Sequence, residues 1–176
     1  MYRDEGHMRL VFNPTSLIYL AKAGPLPLLK DIKCEKLITE GVKTEVVDKG
    51  KEKAAKDALI IERALQDGTL KIGKVKNEGL LHMLSKIPEL HPADAEVLAL
   101  AKEVGGIAVV DDRVARDTAK VYGIEHGGTA FILATLIARG LITKEKAKLA
   151  LDDMISSGWR CSAEQYSKII RTIEGA

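Results

Sequence analysis

The residues best placed to do chemistry in this 176-residue chain are acidic. Asp111 and Asp112 directly follow the short apolar run IAVV at 107–110. Two carboxylates at the end of a buried strand repel each other unless a cation or hydrogen bonds offset the charge. One of them can equally cap the helix that follows, since Asp is a good N-cap. Asp94 lies near the start of a helix, and its neighbours at i+3, i+4 and i+7 are Val97, Leu98 and Ala101. It therefore continues the stripe that faces the core, whereas Glu96 points elsewhere. A first-turn Asp suits the positive end of the helix dipole, which accounts for its position but not its inward direction. Glu45 sits between Thr44 and Val46 on a helix whose apolar stripe includes Val42 and Val46. Taken alone, it reads first as a solvated helical side chain.

Other chemistries find little support. The chain has no G-x-x-x-x-G-K-[ST] or G-x-G-x-x-G phosphate cradle and no G-x-S-x-G nucleophile elbow. His7, His82, His91 and His126 show no H-E-x-x-H spacing, and His91 before Pro92 reads as a loop residue. Cys34 and Cys161 form no C-x-x-C pair; they read as small core residues in a reducing compartment, which points to the cytoplasm.

The elements that must position these residues follow from periodicity and punctuation. A strand at 9–12 leads into Asn13-Pro14, a good N-cap and first helical residue. The helix that follows stops at Gly24-Pro25. A second strand falls within 34–39, with helices at 41–49 and 53–66. Alternation at 69–75 predicts a half-buried strand. A helix over 93–104 opens at Pro92 and stops at Gly105-Gly106, and a strand at 107–110 leads into a helix over 113–122. Further helices are expected over 129–139, 143–156 and 163–173, the last opened by a Ser162/Gln165 capping box. Short apolar strands alternating with helices mean an α/β domain with a mainly parallel sheet, whose ligands bind beyond the carboxyl ends of the strands.

Composition narrows the function. The chain is 46% hydrophobic and 30% charged, as a globular domain is, and its net charge is only +2. Aromatics are 4%, too few for a base-stacking platform, and the charge excess is too small for a basic coat. No apolar run is long enough to span a membrane. Residues 1–8 read as a flexible N-terminal extension and 9–176 as one domain. Few Asn and Gln beside many Lys and Glu lean toward a thermophilic source.

Five segments together resemble the PIN-domain family. VFNPTSLIYLAKAG (11–24) resembles its opening strand and helix, and LITEGVKTEVVDK (37–49) resembles the segment carrying its Glu, here Glu45. LHPADAEVLALA (90–101) places the third acidic residue at Asp94, and IAVVDDRVAR (107–116) places the fourth at Asp112 or Asp111. GGTAFILATLIARGLITKEKAKLALDDMISSGWRCS (127–162) is similar to the tail of a prokaryotic PIN-like ribonuclease subgroup. The resemblance implies a three-layer α/β/α sandwich around a mainly parallel sheet. It implies Mg²⁺ or Mn²⁺ held by Glu45, Asp94, Asp112 or Asp111, and cleavage of single-stranded RNA by a metal-dependent endoribonuclease. It also implies a homodimer and a toxin role with an antitoxin protein.

The first acidic position departs from the family's Asp. It is Asn13, which can offer a carbonyl to the metal but no charge, so metal affinity should fall; capping the first helix explains it equally well. A PIN-fold RNA-binding or protein-interaction module without turnover is the alternative that Asn13 motivates. Thr15, Ser16 and Thr129 fall where hydroxyls could support the site or simply cap helices. Arg113 and Arg116 could bind RNA phosphate or form a solvated helix face. Leu149, Leu151, Met154, Ile155 and Trp159 could pair protomers or complete the core.

Overall fold

The computed structural model describes residues 7–176; the expected extension over 1–8 lies outside the described residues except for its last two. Five strands form one sheet in the order β3-β2-β1-β4-β5, and every neighbouring pair is parallel. They are β1 (Arg9–Phe12), β2 (Glu35–Ile38), β3 (Lys71–Ile72), β4 (Ile107–Val109) and β5 (His126–Gly127). Parallel strands need long crossovers, and helices supply most of them. These are α1 (Pro14–Ala23), α2 (Glu40–Lys43), α3 (Lys49–Glu52), α4 (Lys56–Gln66), α5 (Glu78–Ser85), α6 (Pro92–Val104), α7 (Arg113–Val121), α8 (Thr129–Ala138), α9 (Lys144–Ser156) and α10 (Ala163–Gly175).

Helix α1 packs with α4, α8 and α9, and α6 packs with α5 and α7, giving the three-layer α/β/α architecture. The central strand β1 is buried along Leu10, Val11 and Phe12, an unbroken apolar run of the kind that helices on both faces demand. Leu17, Leu20, Leu98 and Val109 pack around it. Leu151, Met154 and Trp159 join this core, so only Leu149 of the late apolar residues stands well exposed. No helix among the described residues is long and apolar enough to cross a membrane.

Local signals set the boundaries. Asn13 caps α1 ahead of Pro14, and Gly24 ends that helix in the left-handed region. Gly105 ends α6 in the same way. Ser162 and Gln165 form the capping box of α10. Two expectations are corrected in extent. The strand expected over 69–75 shrinks to Lys71–Ile72, both exposed on the edge of the sheet. Gly73 still donates its N–H to Ile38 O of β2 at 2.8 Å, the last bond of the ladder, and packs on Leu100, where a Cβ would come within 2.7 Å of Leu100 Cδ2. The helix expected over 41–49 is interrupted by a π-helical stretch at Thr44–Asp48 between α2 and α3.

From β1 the sheet grows outward to β2 and β3, and the chain then returns to place β4 on the other side of β1. The carboxyl ends of β1 and β4 thus flank the point where the winding reverses, the usual crevice of such sheets.

Candidate active site

At that crevice β1 runs into Asn13. Its backbone N–H donates to Val109 O of β4 at 3.2 Å, tying the start of α1 to the neighbouring strand. Its side-chain oxygen accepts from Ser16 N at 2.9 Å, the capping bond of α1, and Ser16 Oγ donates back to Asn13 O at 3.0 Å. With the oxygen so engaged, the amide nitrogen faces the other way and donates to Asp94 Oδ1 at 3.0 Å. Asn13 therefore does cap the helix, and it presents Asp94 with a hydrogen-bond donor. The metal-ligand role expected for its carbonyl meets an oxygen already committed to Ser16.

Asp94 reaches the crevice from the first turn of α6, which opens at Pro92 with His91 Nδ1 accepting from Ala93 N at 3.2 Å. Its side chain faces inward, as its helical register requires, and the residue is 6% exposed. Burial pushes its carboxyl above the usual carboxylate range; the Asn13 hydrogen bond and His91 pull it back, while Asp112 and Glu45 push it further up. The three carboxylates thus lie within electrostatic reach of one another. Glu45 is half-buried and projects from the π-helical stretch, a feature that often occurs at functional sites. Glu96, two residues on, packs its carboxylate on Gly41 of α2.

The two adjacent aspartates after β4 part company. Asp112 caps α7, its Oδ2 accepting from Ala115 N at 3.0 Å, and stands exposed. Asp111 accepts from Thr129 N at 2.8 Å through Oδ1. Its Oδ2 accepts from Thr129 Oγ1 and, at 3.3 Å, from the Trp159 indole N–H. Gly128 leaves room for this carboxylate, since a Cβ there would come within 2.6 Å of Asp111 Oδ1. Thr129 is fully buried and serves Asp111, and Ser16 serves the start of α1, whereas Thr15 is exposed at the rim.

Beside the crevice lies an open groove of about 840 Å³. Thr15 and Lys22 of α1, Asp112, Arg113 and Arg116 at and within α7, and Trp159 and Arg160 line it. Arg113 is spread over the surface of α7 with Asp117 at 3.6 Å, while Arg116 is half-buried and turned into the groove.

A family model described as a PIN domain matches residues 9–175. The chain belongs to the PIN-domain family. No curated protein matches it. The PIN fold is of nuclease type, and PIN domains generally use divalent metal ions.

Among the described residues no three His, Cys, Asp or Glu side chains stand together closely enough to form a metal cage. Mg²⁺ does not need one: it keeps several waters and is usually held by one or two carboxylates together with substrate phosphates. Asp94 is a buried carboxylate that feels the charge of two more and, among the described residues, makes no ion pair. Such a charge calls for a cation. The donors are hard oxygens, so the site fits Mg²⁺ or Mn²⁺ in kind. Asp94 and Asp112 could hold the ion, with Glu45 at its side; Asp111, whose oxygens both accept hydrogen bonds, is poorly disposed to do so.

The sequence reading missed Trp159 and Arg160 as parts of this end of the molecule. The Trp159–Asp111 bond spans 48 positions and leaves no local pattern. The available signal was the Gly158-Trp159-Arg160 run inside the 127–162 segment that resembles the family's tail.

Proposed function

We propose that this PIN-domain chain is a Mg²⁺- or Mn²⁺-dependent endoribonuclease that hydrolyses phosphodiester bonds in single-stranded RNA. The observation that carries the reading is the buried Asp94, held by Asn13 at the reversal point of the sheet and within the electrostatic reach of Asp112 and Glu45. A divalent ion bound there supplies Lewis acidity toward the phosphate and a more acidic water. Asp94 and Asp112 would hold it, with Glu45 at its side, and Asn13 holds Asp94 in place through its amide. Arg116 neutralises substrate phosphate alongside, with the more exposed Arg113 helping at the rim. Thr129 supports the site indirectly, by fixing Asp111.

The test is incubation of labelled single-stranded RNA with the protein in Mn²⁺, with and without chelator, beside Asp94→Asn. Cleavage should require the metal and fall by about 100-fold or more in the variant, whose melting temperature should hold or rise. Cleavage by the variant at the wild-type rate overturns the proposal.

Asn13 favours a second reading, in which the fold binds RNA or a protein without turnover. Under it the wild type retains RNA at low salt, shows no cleavage in Mn²⁺, and gains cleavage in Asn13→Asp. Wild-type cleavage that needs both metal and Asp94 sinks this reading. A toxin role with an antitoxin partner, and a homodimer, rest on the family resemblance. Co-expression with a short protein encoded beside this chain, read as loss of cleavage, tests the former; the mass of the protein in solution tests the latter.

A further inference from the structure

The groove beside the acidic crevice does not end at Asp112. A second depression of about 200 Å³ adjoins it and shares Asp111, Arg116, Trp159, Arg160 and Gln165 with it. Asp112 lines only the first and Lys168 only the second, so the two form a continuous track leading away from the acidic crevice. Four cations face the first part, Lys22, Arg113, Arg116 and Arg160, against the carboxylates Asp111 and Asp112.

These cations are not equally available. Arg113 shares its charge with Asp117, and Lys168 lies 4.0 Å from Glu164. Lys22 sits over the Tyr19 ring, 5.6 Å from its centroid. Arg116 and Arg160 have no ion pair or hydrogen bond among the described residues. They border both depressions, Arg116 from α7 and Arg160 from the connection between α9 and α10. That connection is pinned: Trp159 is 8% exposed, and its indole N–H bonds Asp111 at the end of β4. Two guanidinium groups without a partner among the described residues thus border the same track from two different elements, where planar forks suit phosphate oxygens.

The lining also speaks to what is read. Trp159 is buried with its N–H engaged, and Tyr19 is the only other aromatic side chain in the track. Recognition by stacking needs a series of exposed rings. We infer that Arg116 and Arg160 grip successive phosphates of a single RNA strand along this track, feeding its backbone toward Asp112 and Asp94 with little regard for base identity. This inference rests on the nuclease reading for the nature of the ligand, but binding can be measured with no cleavage taking place.

For single strands, the slope of log K against log salt falls by about 0.7 for each phosphate contact removed. Fluorescence anisotropy of labelled oligouridine and oligoadenosine of equal length, in chelator and over a KCl series, therefore provides the test. Arg116→Gln and Arg160→Gln should each reduce the slope by about 0.7 and the double variant by about 1.4. The two oligonucleotides should bind alike. Lys71→Gln, on the far edge strand β3, should keep the wild-type slope. The inference is overturned by slopes unchanged in both arginine variants, by an equal drop in Lys71→Gln, by strong base preference, or by no binding at low salt. A failure of the nuclease reading alone would appear instead as Asp94-independent cleavage, or none, with these slopes as expected.

Discussion

Asp111 and Asp112 are neighbours in the chain and border the same groove, yet their carboxylates end up in two different local regions of hydrogen bonding. Asp111 turns toward the α8 and α10 side, where a backbone N–H, a hydroxyl and an indole N–H all donate to it. Asp112 stands exposed, caps α7 with one oxygen, and adds its charge to the field at Asp94. The first region is saturated with donors, so its carboxylate is spent on holding elements together. The second holds more negative charge than its donors offset. The contrast teaches that hydrogen-bond satisfaction, more than acidity or position after a strand, separates a structural carboxylate from one available to a cation.

The largest effect that would break this comparison is on cleavage. Asp112→Asn keeps the α7 cap, because Asn caps as well as Asp, but removes the charge. RNA cleavage in Mn²⁺ should drop by about 100- to 1,000-fold while the thermal melt stays in place. If Asp112→Asn cleaves normally and Asp111→Asn does not, the two assignments are exchanged.

Next comes a stability effect of opposite distribution. Asp111→Ala strands the Thr129 and Trp159 donors, at a cost of about 2–4 kcal/mol. In a chain of this size that lowers the melting midpoint by about 5–12 °C. Asp112→Ala loses a single helix cap, worth about 1 kcal/mol, and should melt only about 2–4 °C lower. Equal destabilisation by the two alanines would mean that the Trp159 side does not anchor this end of the sheet.

Much of the scaffold behind this contrast is legible in the sequence, because it depends on local rules. Pro14 after Asn13, Pro92 after His91, Gly105 and the Ser162/Gln165 box mark helix ends by backbone geometry that neighbouring residues fix. The inward direction of Asp94 follows from its spacing to Val97, Leu98 and Ala101. Helix α5 escapes such reading: it has eight residues, and its apolar stripe of Leu80, Leu81 and Leu84 spans little more than one turn. Strand β3 misleads in the other direction: the alternation runs over 69–75, but the ladder with β2 pairs only Lys71 and Ile72 and ends at the Gly73 N–H. Adjacent residues in a loop have no period at all, which is why Asp111 and Asp112 cannot be told apart before the fold is known. Asn13 is legible as a cap, three residues from its partner, but not as the donor to Asp94, 81 positions away.

The smallest effect sharpens the comparison from the side of Asp94. Its carboxyl is raised in the folded chain, chiefly by burial. Between its ordinary value and the raised one, the folded state binds more protons than the unfolded state. This group's contribution to stability therefore grows as pH falls through the folded value and is complete below the unfolded one; it is lost as pH rises. In chelator, the wild type should thus melt below Asp94→Asn at neutral pH, and the gap should close as the solution is acidified toward the ordinary carboxylate range. Subtracting the variant removes the acid response of the rest of the chain. Mn²⁺ added at neutral pH should close the same gap by supplying the positive charge that protonation supplies at low pH. A gap that stays flat with pH, or is insensitive to Mn²⁺, would place Asp94 among the satisfied carboxylates with Asp111, and would leave the crevice without the unbalanced charge on which the distinction depends.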